Sequence, residues 1–389
     1  MARTSKDTRL DRCPTVCAVV RMRLRAACLC LLWMPAVALC ARPAHDERGH
    51  DAAPRRALPH QQIDKRCPKF AYVPFASGGA GHIFSDIVLG LELATRVNAT
   101  FVLEDLDDPS RPVGRHGAYP GLLSFLNLDS TEMRMADVLA LYAPRVVDAS
   151  WDNATRVTGC NVLIRVPDTS CDVPASSTRL ADTGLDDSCH TVIGDLYNKF
   201  KHVFRAKYMA KVAQHRRTYG RLFSRASVNV AWHIRSGDIN LHQGDVEYFD
   251  NTRAALEAAA RAVGMPVAHY VFAERDLRAQ PGYEFLARMD NVTFVCNDTL
   301  LETIHHMTHA DVVVETGSSM TAIVHTIAEG PLFVRGCPKE GCDVRIFDVD
   351  GLFKLDARGR LLASDTELWS ALQMRMLTRA MSHGFERRR

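Results

Sequence analysis

Short apolar runs that alternate with helical patterns constrain the fold of this chain more than any other sequence feature. From residue 226 onward, apolar runs of strand length occupy residues 228–234, 268–273, 292–296, 311–315 and 331–334. Helical spacing of apolar residues separates them at 252–263, 299–309 and 318–328. Continuous apolar strands of this kind are buried on both faces, as in a parallel sheet covered by helices. The pattern predicts a Rossmann-like lobe within residues 223–389.

A similar unit starts the region from residue 67. An apolar run at 70–74, a glycine turn at 77–81, a helical pattern at 82–97 and a strand at 100–103 follow one another. Residues 104–200 have weaker signals, and we interpret them as loops and insertions that complete this lobe. The chain is therefore predicted to be α/β, with Rossmann-like lobes at 67–222 and 223–389 and a ligand site in the cleft between their sheets.

Composition excludes several classes of protein. With 47% hydrophobic residues, 24% charged residues and a net charge of +3, the chain is typical of globular proteins and not of disordered, collagen-like or coiled-coil ones. A dedicated nucleic-acid binder needs a basic stripe over much of its surface, so we expect no nucleic-acid partner.

The first 66 residues differ from the rest. Arg21, Arg23 and Arg25 precede an uncharged run at 26–41, as in a secretory signal anchor or signal peptide. The positive-inside rule then predicts a cytosolic basic tail at 1–25 and a lumenal chain beginning with a flexible stem at 42–66. We expect a type II membrane protein of the Golgi or endoplasmic reticulum lumen. Cleavage near residues 36–38, where small residues flank Val37, is the alternative and gives a secreted protein.

Two features agree with a lumenal location. The predicted lumenal part has N-glycosylation sequons at Asn98, Asn153, Asn291 and Asn297. It also has seven cysteines, as expected where disulfides form, and an odd number leaves at least one thiol unpaired. We favour a small loop closed by Cys337 and Cys342 over a metal knuckle, because no second cysteine pair follows at zinc spacing. The other pairings stay open.

The most specific motif is His233-Ile-Arg235-Ser-Gly237-Asp238, directly after the predicted strand 228–234. The carboxyl end of a parallel strand is where substrates bind. His233 ends the strand, Arg235 offers a planar fork suited to phosphate, and Gly237 lets a ligand approach the backbone. The alternative is a surface pair between Arg235 and Asp238, worth only about 0–1 kcal/mol.

Two helix starts are further candidates for ligand binding. Ser318, Ser319 and Thr321 open a helix after the strand 311–315, where free backbone N–H groups bind anions, although serine here is also a common N-cap. Gly79 and Gly81 lie in the glycine turn of the first lobe, which is neither a full GxGxxG motif nor a Walker loop. His82 and Asp86, four residues apart on the next helix, are candidates for acceptor contact or for the general base. The alternative for Asp86 is that its negative charge caps the first turn of the helix.

Other reaction classes find less support. His305 and His309 have the spacing of an HExxH zinc site, but His306 occupies the position of the glutamate base. The acidic segments 104–108 and 348–350 are short enough to be ordinary loops. No G-x-S-x-G elbow is present, so a hydrolase triad is not supported. We predict no metal ligands.

The motifs together resemble the GDP-fucose-dependent fucosyltransferases of GT-B fold, including the α1,2, α1,6 and protein O-linked groups. The likeness covers residues 70–335 through GGAGHIFSDIVLGLELATRVNATFVL, HIRSGD and DTLLETIHHMTHADVVVETGSSMTAIVHTIA. It implies inverting, metal-independent transfer of fucose from GDP-fucose to a glycan or glycoprotein, with no cofactor. The first lobe is expected to bind the acceptor, and the second lobe the donor.

The resemblance also implies roles for particular residues. Arg235 is expected to bind the β-phosphate of the donor, with Ser318 and Ser319 near the diphosphate. Many members have a second arginine after the first, whereas this chain has Ser236. A transferase that uses another sugar donor is therefore one alternative. A catalytically silent glycan-binding protein is a second alternative, because fold does not fix function. The base is open among Asp86, His82 and Asp238.

Overall fold

The computed structural model describes residues 66–75, 79–104, 121–167, 189–234, 246–296, 298–315, 318–336, 352–356 and 358–386. Within these residues the chain forms eleven β-strands and nine α-helices. The strands belong to two sheets in which every pair of neighbouring strands is parallel. The predicted α/β class with two parallel sheets is confirmed.

The first sheet has five strands in the order β3-β2-β1-β5-β4. Its central strand β1 has buried residues at Phe70, Ala71 and Tyr72, which accounts for the apolar run in the sequence. The strands are β1 Lys69–Tyr72, β2 Thr100–Leu103, β3 Met133–Arg134, β4 Arg145–Asp148 and β5 Val162–Arg165.

The middle of the chain corrects one prediction. Strands β3, β4 and β5 lie within residues 104–200, which we interpreted as loops and insertions. Strand β4 is an edge strand with three of its four residues exposed, so it lacks the apolar run that marks a buried strand. The helices of this part are α1 Ala80–Arg96, α2 Leu122–Phe125, α3 Met135–Tyr142, α4 Trp151–Ala154 and α5 Cys189–Tyr219.

The second sheet has six strands in the order β11-β10-β9-β6-β7-β8. From β6 the chain adds β7 and β8 on one side, and then β9, β10 and β11 on the other, which is the order of a Rossmann sheet. Strand β6 is buried from Val228 to Trp232, consistent with cover on both faces. The strands are β6 Val228–His233, β7 Val267–Ala273, β8 Val292–Cys296, β9 Val312–Glu315, β10 Leu332–Arg335 and β11 Leu352–Lys354.

Four helices accompany this sheet. Helix α9 is attached to the sheet through Arg379, which hydrogen-bonds to the buried carboxylate of Asp311 next to β9. The same carboxylate accepts hydrogen bonds from the backbone and side-chain nitrogens of Asn229, at 2.9 and 3.0 Å. The helices are α6 Val246–Ala262, α7 Leu300–Thr308, α8 Ser319–Ile327 and α9 Asp365–Glu386.

Helices from both halves of the chain share one apolar core. Phe84 of α1, Phe204 of α5 and Ile323 of α8 all have no exposed surface and belong to the same cluster. Arg205 of α5 also donates a hydrogen bond to the carbonyl oxygen of Ala328, the residue that ends α8. These contacts bring helix α8 of the second sheet against helices α1 and α5 of the first part.

One disulfide joins Cys67, just before β1, to Cys160, just before β5. The two Cα atoms are 4.4 Å apart, because β1 and β5 are neighbours in the sheet. Sequence spacing left the partner of each of these cysteines open. The favoured pair Cys337 and Cys342 lies outside the described residues.

The predicted tail 1–25 and signal segment 26–41 also lie outside the described residues, as does nearly all of the stem at 42–66. Among the helices that the structure does describe, none combines the length and the apolar character needed to cross a membrane.

Candidate functional site

Strand order places a crevice at one point of the second sheet. Strands β6 and β9 pair directly, with Val230 opposite Val312 and Trp232 opposite Val314. The chain leaves β6 toward β7 and later returns on the other side as β9, so the order of the sheet reverses between these two strands. In open parallel sheets, ligands bind outside the carboxyl ends of the strands at this reversal.

The first candidate segment leaves the carboxyl end of β6. His233 is the last residue of the strand and is half-buried opposite Phe272 of β7. Residues 235–245, which include Arg235, Gly237 and Asp238, lie outside the described part of the chain. Their predicted roles therefore stay predictions, although the strand that carries them ends at the predicted edge.

The second candidate segment leaves the carboxyl end of β9. Ser318 is the N-cap of helix α8, and its hydroxyl oxygen accepts a hydrogen bond from the backbone N–H of Met320 at 3.3 Å. The hydroxyl of Thr321, with no exposed surface, donates to the carbonyl oxygen of Ser318 at 2.6 Å. Both hydroxyls thus hold the helix start in place. Ser319 is the first helical residue, and its backbone N–H is among those with no acceptor inside the helix.

Because β6 and β9 are neighbours, the strand ends from which the two segments leave lie side by side at one edge of the sheet. An anion bound there would face the positive end of α8. The predicted convergence of Arg235 with Ser318 and Ser319 stays a prediction, because Arg235 lies outside the described residues.

The glycine turn of the first part leads into helix α1. Gly79 is the N-cap of α1, and its carbonyl oxygen accepts hydrogen bonds from the backbone N–H groups of His82 and Ile83, at 2.9 and 3.2 Å. Gly81 is buried in the first turn. Since β1 lies between β2 and β5, this turn also follows the strand at which the order of its sheet reverses.

The two candidate bases of α1 have different surroundings. His82 is exposed, whereas Asp86 is only 4% exposed. Next to Asp86, the hydroxyl of Ser85 donates to the carbonyl oxygen of Gly81 at 3.0 Å and lies 2.7 Å from the hydroxyl of Tyr197. Burial, together with the negative charge of Asp86, raises the pKa of Tyr197, so this phenol stays protonated. Asp86 is thus buried in the first turns of α1, next in sequence to the Ser85 that contacts Tyr197, and His82 lies at the surface.

A buried ion pair lies beside the β9 segment. Glu315 and Arg335 are the last residues of β9 and β10, they are register partners, and their side chains are 1% and 2% exposed. Sequence reasoning missed this pair. The only signal was that a charged residue directly follows an apolar run in each strand. The pair fixes the two strand ends next to Ser318.

His305 and His309, which have the spacing of a zinc site, each contact other polar groups. His305 Nδ1 lies 2.9 Å from the hydroxyl of Tyr208, and His309 Nδ1 lies 2.8 Å from the carbonyl oxygen of His305. Burial lowers the pKa of His305 to about 3 and that of His309 to about 4, so both are neutral at physiological pH. The contact of His305 joins α7 to α5, whereas that of His309 lies within the end of α7.

The acidic segments do not form a described site either. The carboxylate of Glu104 accepts a hydrogen bond from the backbone N–H of Phe75 at 2.9 Å, which links the ends of β1 and β2. Residues 105–108 and the segment 348–350 lie outside the described residues.

Comparison with known proteins gives weak structural neighbours. No family model and no curated protein matches the chain. The solved structures that resemble it include the following three. POFUT1 in complex with GDP-fucose is 12% identical, with 68% of this chain and 96% of that chain covered and a TM-score of 0.36. ADP-heptose lipopolysaccharide heptosyltransferase II of E. coli is 11% identical, with 80% and 99% covered and a TM-score of 0.39. A family 9 glycosyl transferase of Veillonella parvula is 9% identical, with 80% and 98% covered and a TM-score of 0.39.

Likenesses at this level do not establish a family. The TM-scores are too low to assign a shared fold, and the identities are too low to transfer residue roles. The chemistry of the site therefore has to come from the residues of this chain.

Proposed function

We propose that this protein is a glycosyltransferase of GT-B type that transfers fucose from GDP-fucose to a hydroxyl group of a glycan or glycoprotein, with inversion. One observation carries the proposal. The two segments with the predicted donor-binding residues follow β6 and β9, the adjacent strands at which the order of the second sheet reverses.

In this mechanism the residues that bind GDP-fucose contact its diphosphate. Arg235 forms paired hydrogen bonds with the β-phosphate, and the start of α8 at Ser318 and Ser319 presents backbone N–H groups to the same charge. As the acceptor hydroxyl attacks the anomeric carbon in line, GDP leaves with growing negative charge. Positioned donors that meet this charge stabilise the transition state without a metal ion.

The acceptor lies on the side of the glycine turn and α1. Its hydroxyl proton must pass to a general base, for which Asp86, His82 and Asp238 are the candidates. The exposed His82 is accessible to a large glycan, whereas the buried Asp86 would accept the proton from inside the first turns of α1. Loss of the true base lowers kcat by about 10²- to 10⁴-fold, so His82→Gln and Asp86→Asn distinguish these two.

A lumenal setting is part of the proposal, with the segment 26–41 as a type II anchor in the Golgi or endoplasmic reticulum. The disulfide between Cys67 and Cys160 supports an oxidising compartment. The sequon residues Asn98, Asn153 and Asn291 are all exposed, as glycosylation requires.

The test is donor turnover by the full-length protein. Release of GDP from GDP-fucose, measured with a glycan mixture and with a chelator present, is expected in the wild type. The Arg235→Ala variant should be about 10²- to 10³-fold slower. Arg261→Ala is the matched control, because Arg261 is exposed in the last turn of α6, before the amino end of β7. Turnover of UDP- or CMP-sugars in place of GDP-fucose would show that the proposed donor is wrong. Glycan binding without any nucleotide binding would favour a catalytically silent scaffold protein.

A further inference from the structure

Three side chains converge at the start of α7, which follows the carboxyl end of β8. Asp298, Glu302 and His306 each offer one ligand atom, and these atoms all lie within 4.8 Å of one another. The residues are spaced by four, which places them along one side of the helix start. Strand β8, which leads to Asp298, is an edge strand and lies two strands away from β6.

His306 is the buried member of this cluster. Its side chain is 7% exposed, and it packs against the rings of Phe223 and Phe272. Its Nε2 atom is 3.9 Å from Glu302 Oε1, which is too long for a hydrogen bond. One of its ring nitrogens is among the three ligand atoms that converge here, so the imidazole can bind an ion from the side that faces the carboxylates.

Glu302 lies three residues after the N-cap of α7, where its carboxylate would be expected to complete a capping box. Thr299 is the N-cap of α7, and its hydroxyl oxygen accepts a hydrogen bond from the backbone N–H of Glu302 at 3.3 Å. In a complete capping box the glutamate carboxylate would bind back to the N-cap N–H. Within the described residues that return bond is absent, and the carboxylate lies toward His306 and Asp298.

The two carboxylates repel each other. Their ligand atoms lie within 4.8 Å of each other, and both side chains are half-buried. A bound cation would offset this repulsion and would coordinate the ring nitrogen of His306 as well.

We propose that Asp298, Glu302 and His306 bind a divalent transition-metal ion, Zn²⁺ or Mn²⁺, with water in the remaining positions. Two carboxylates and one imidazole suit these ions, whereas Mg²⁺ and Ca²⁺ prefer oxygen ligands alone. Zn²⁺ should bind more tightly than Mn²⁺. The ion would link Asp298, which precedes the N-cap, to Glu302 and His306 in the first two turns of α7. It takes no part in the transfer step, for which no metal is predicted.

The experiment uses the full-length protein, made metal-free with a chelator and titrated with Zn²⁺, Mn²⁺, Mg²⁺ or Ca²⁺ alone. Calorimetry should show one Zn²⁺ site per chain that is weakened about 100-fold or more in Glu302→Gln and in Asp298→Asn, since each removes a ligand. At about 100 times the dissociation constant, Zn²⁺ should raise the wild-type Tm by about 3 °C. Asp137→Asn is the matched control, because Asp137 is an exposed acid in the first turn of α3.

Comparison of the variants separates this site from weak binding elsewhere, since the chain has 16 histidines. Retention of the tight site in Asp137→Asn and its loss in both ligand variants would support the proposal. Equal Zn²⁺ affinity in all four proteins, or equal affinity of the wild type for Mg²⁺ and Zn²⁺, would overturn it. Neither readout depends on fucose transfer, so the proposed function and the metal site fail separately.

Discussion

Glu315 and Arg335 form an ion pair between the carboxyl ends of two adjacent strands, with almost no surface exposed on either side chain. Two charges removed from water persist only when each compensates the other. Since Glu315 lies three residues before the N-cap Ser318, the pair anchors the strand end from which the proposed diphosphate site begins.

Removing one charge of this pair should therefore be costly. We expect Glu315→Gln to lower the free energy of unfolding by about 3–5 kcal/mol, because the guanidinium of Arg335 stays buried without this carboxylate. Urea unfolding measures the change. Arg360→Ala, which breaks an exposed pair with Asp356, should change stability by less than about 1 kcal/mol. The double variant Glu315→Met/Arg335→Met should recover much of the loss, and a single variant as stable as the wild type would show that the pair is not coupled.

The disulfide between Cys67 and Cys160 should contribute strongly to stability. It closes a loop across 93 positions of the sequence, and loss of such a link typically costs about 2–5 kcal/mol. The double variant Cys67→Ala/Cys160→Ala should therefore unfold at lower urea concentration than the oxidised wild type. Mass spectrometry of non-reduced peptides checks the pairing directly, and a Cys67 peptide linked to another cysteine would contradict it.

Buried histidines should make the protein sensitive to acid. Trp232 Nε1 donates a hydrogen bond to His269 Nδ1 at 3.0 Å, and burial, aided by the charge of Arg253, lowers the pKa of His269 to about 4. In the unfolded chain the pKa is about 6.5. Between these values only the unfolded state binds the proton, so stability falls as the pH drops from about 6.5 to about 4, by up to about 3 kcal/mol from this group.

The variant His269→Gln tests this assignment, because glutamine keeps an acceptor for Trp232 but does not titrate. Urea unfolding at pH 7 and pH 5 should show a weaker pH dependence than in the wild type. His202→Gln is the control, since His202 is exposed on α5. If both variants retain the full pH dependence, the acid sensitivity arises elsewhere.

Gly90 allows helix α1 to lie close to strand β2. A Cβ atom at this position would be 2.5 Å from Cε2 of Phe101, whose ring is 2% exposed and has little room to move. Gly90→Ala should therefore destabilise the protein by about 1–3 kcal/mol, although alanine is the better helix former by about 1 kcal/mol. Thermal unfolding checks the sign, and Gly90→Ala/Phe101→Leu should recover part of the loss. A stabilised Gly90→Ala protein would disprove the close contact.

Much of the fold could be predicted from the sequence, because buried parallel strands are continuous apolar runs. Strands β2 and β8 have the predicted bounds, and helix α8 starts one residue after its predicted first residue, Ser318, which is its N-cap. Strand β4 was missed since an exposed edge strand has no such run. Helix α5 was missed over much of its 31 residues, although apolar residues recur there at helical spacing, at positions 193, 196, 197, 200, 203 and 204.

The candidate site was only partly predictable. Serine at a helix start is a local pattern, so the N-cap Ser318 was identifiable from sequence. The segment from Arg235 onward lies outside the described residues and stays a prediction. That β6 and β9 are neighbours, and that Glu315 is opposite Arg335, depends on strand order and register. The cluster of Asp298, Glu302 and His306 was missed because its spacing fits no common metal motif and depends on the direction of each side chain.

The most direct test of the central claim is nucleotide binding by the full-length protein with no divalent metal present. Calorimetric titration with GDP, GDP-fucose and UDP should show binding of the two guanine nucleotides, loss of that binding in Arg235→Ala and its retention in Arg261→Ala. That result would place the donor diphosphate at the strand ends of β6 and β9. A folded wild-type protein that binds none of these nucleotides would contradict the transferase account.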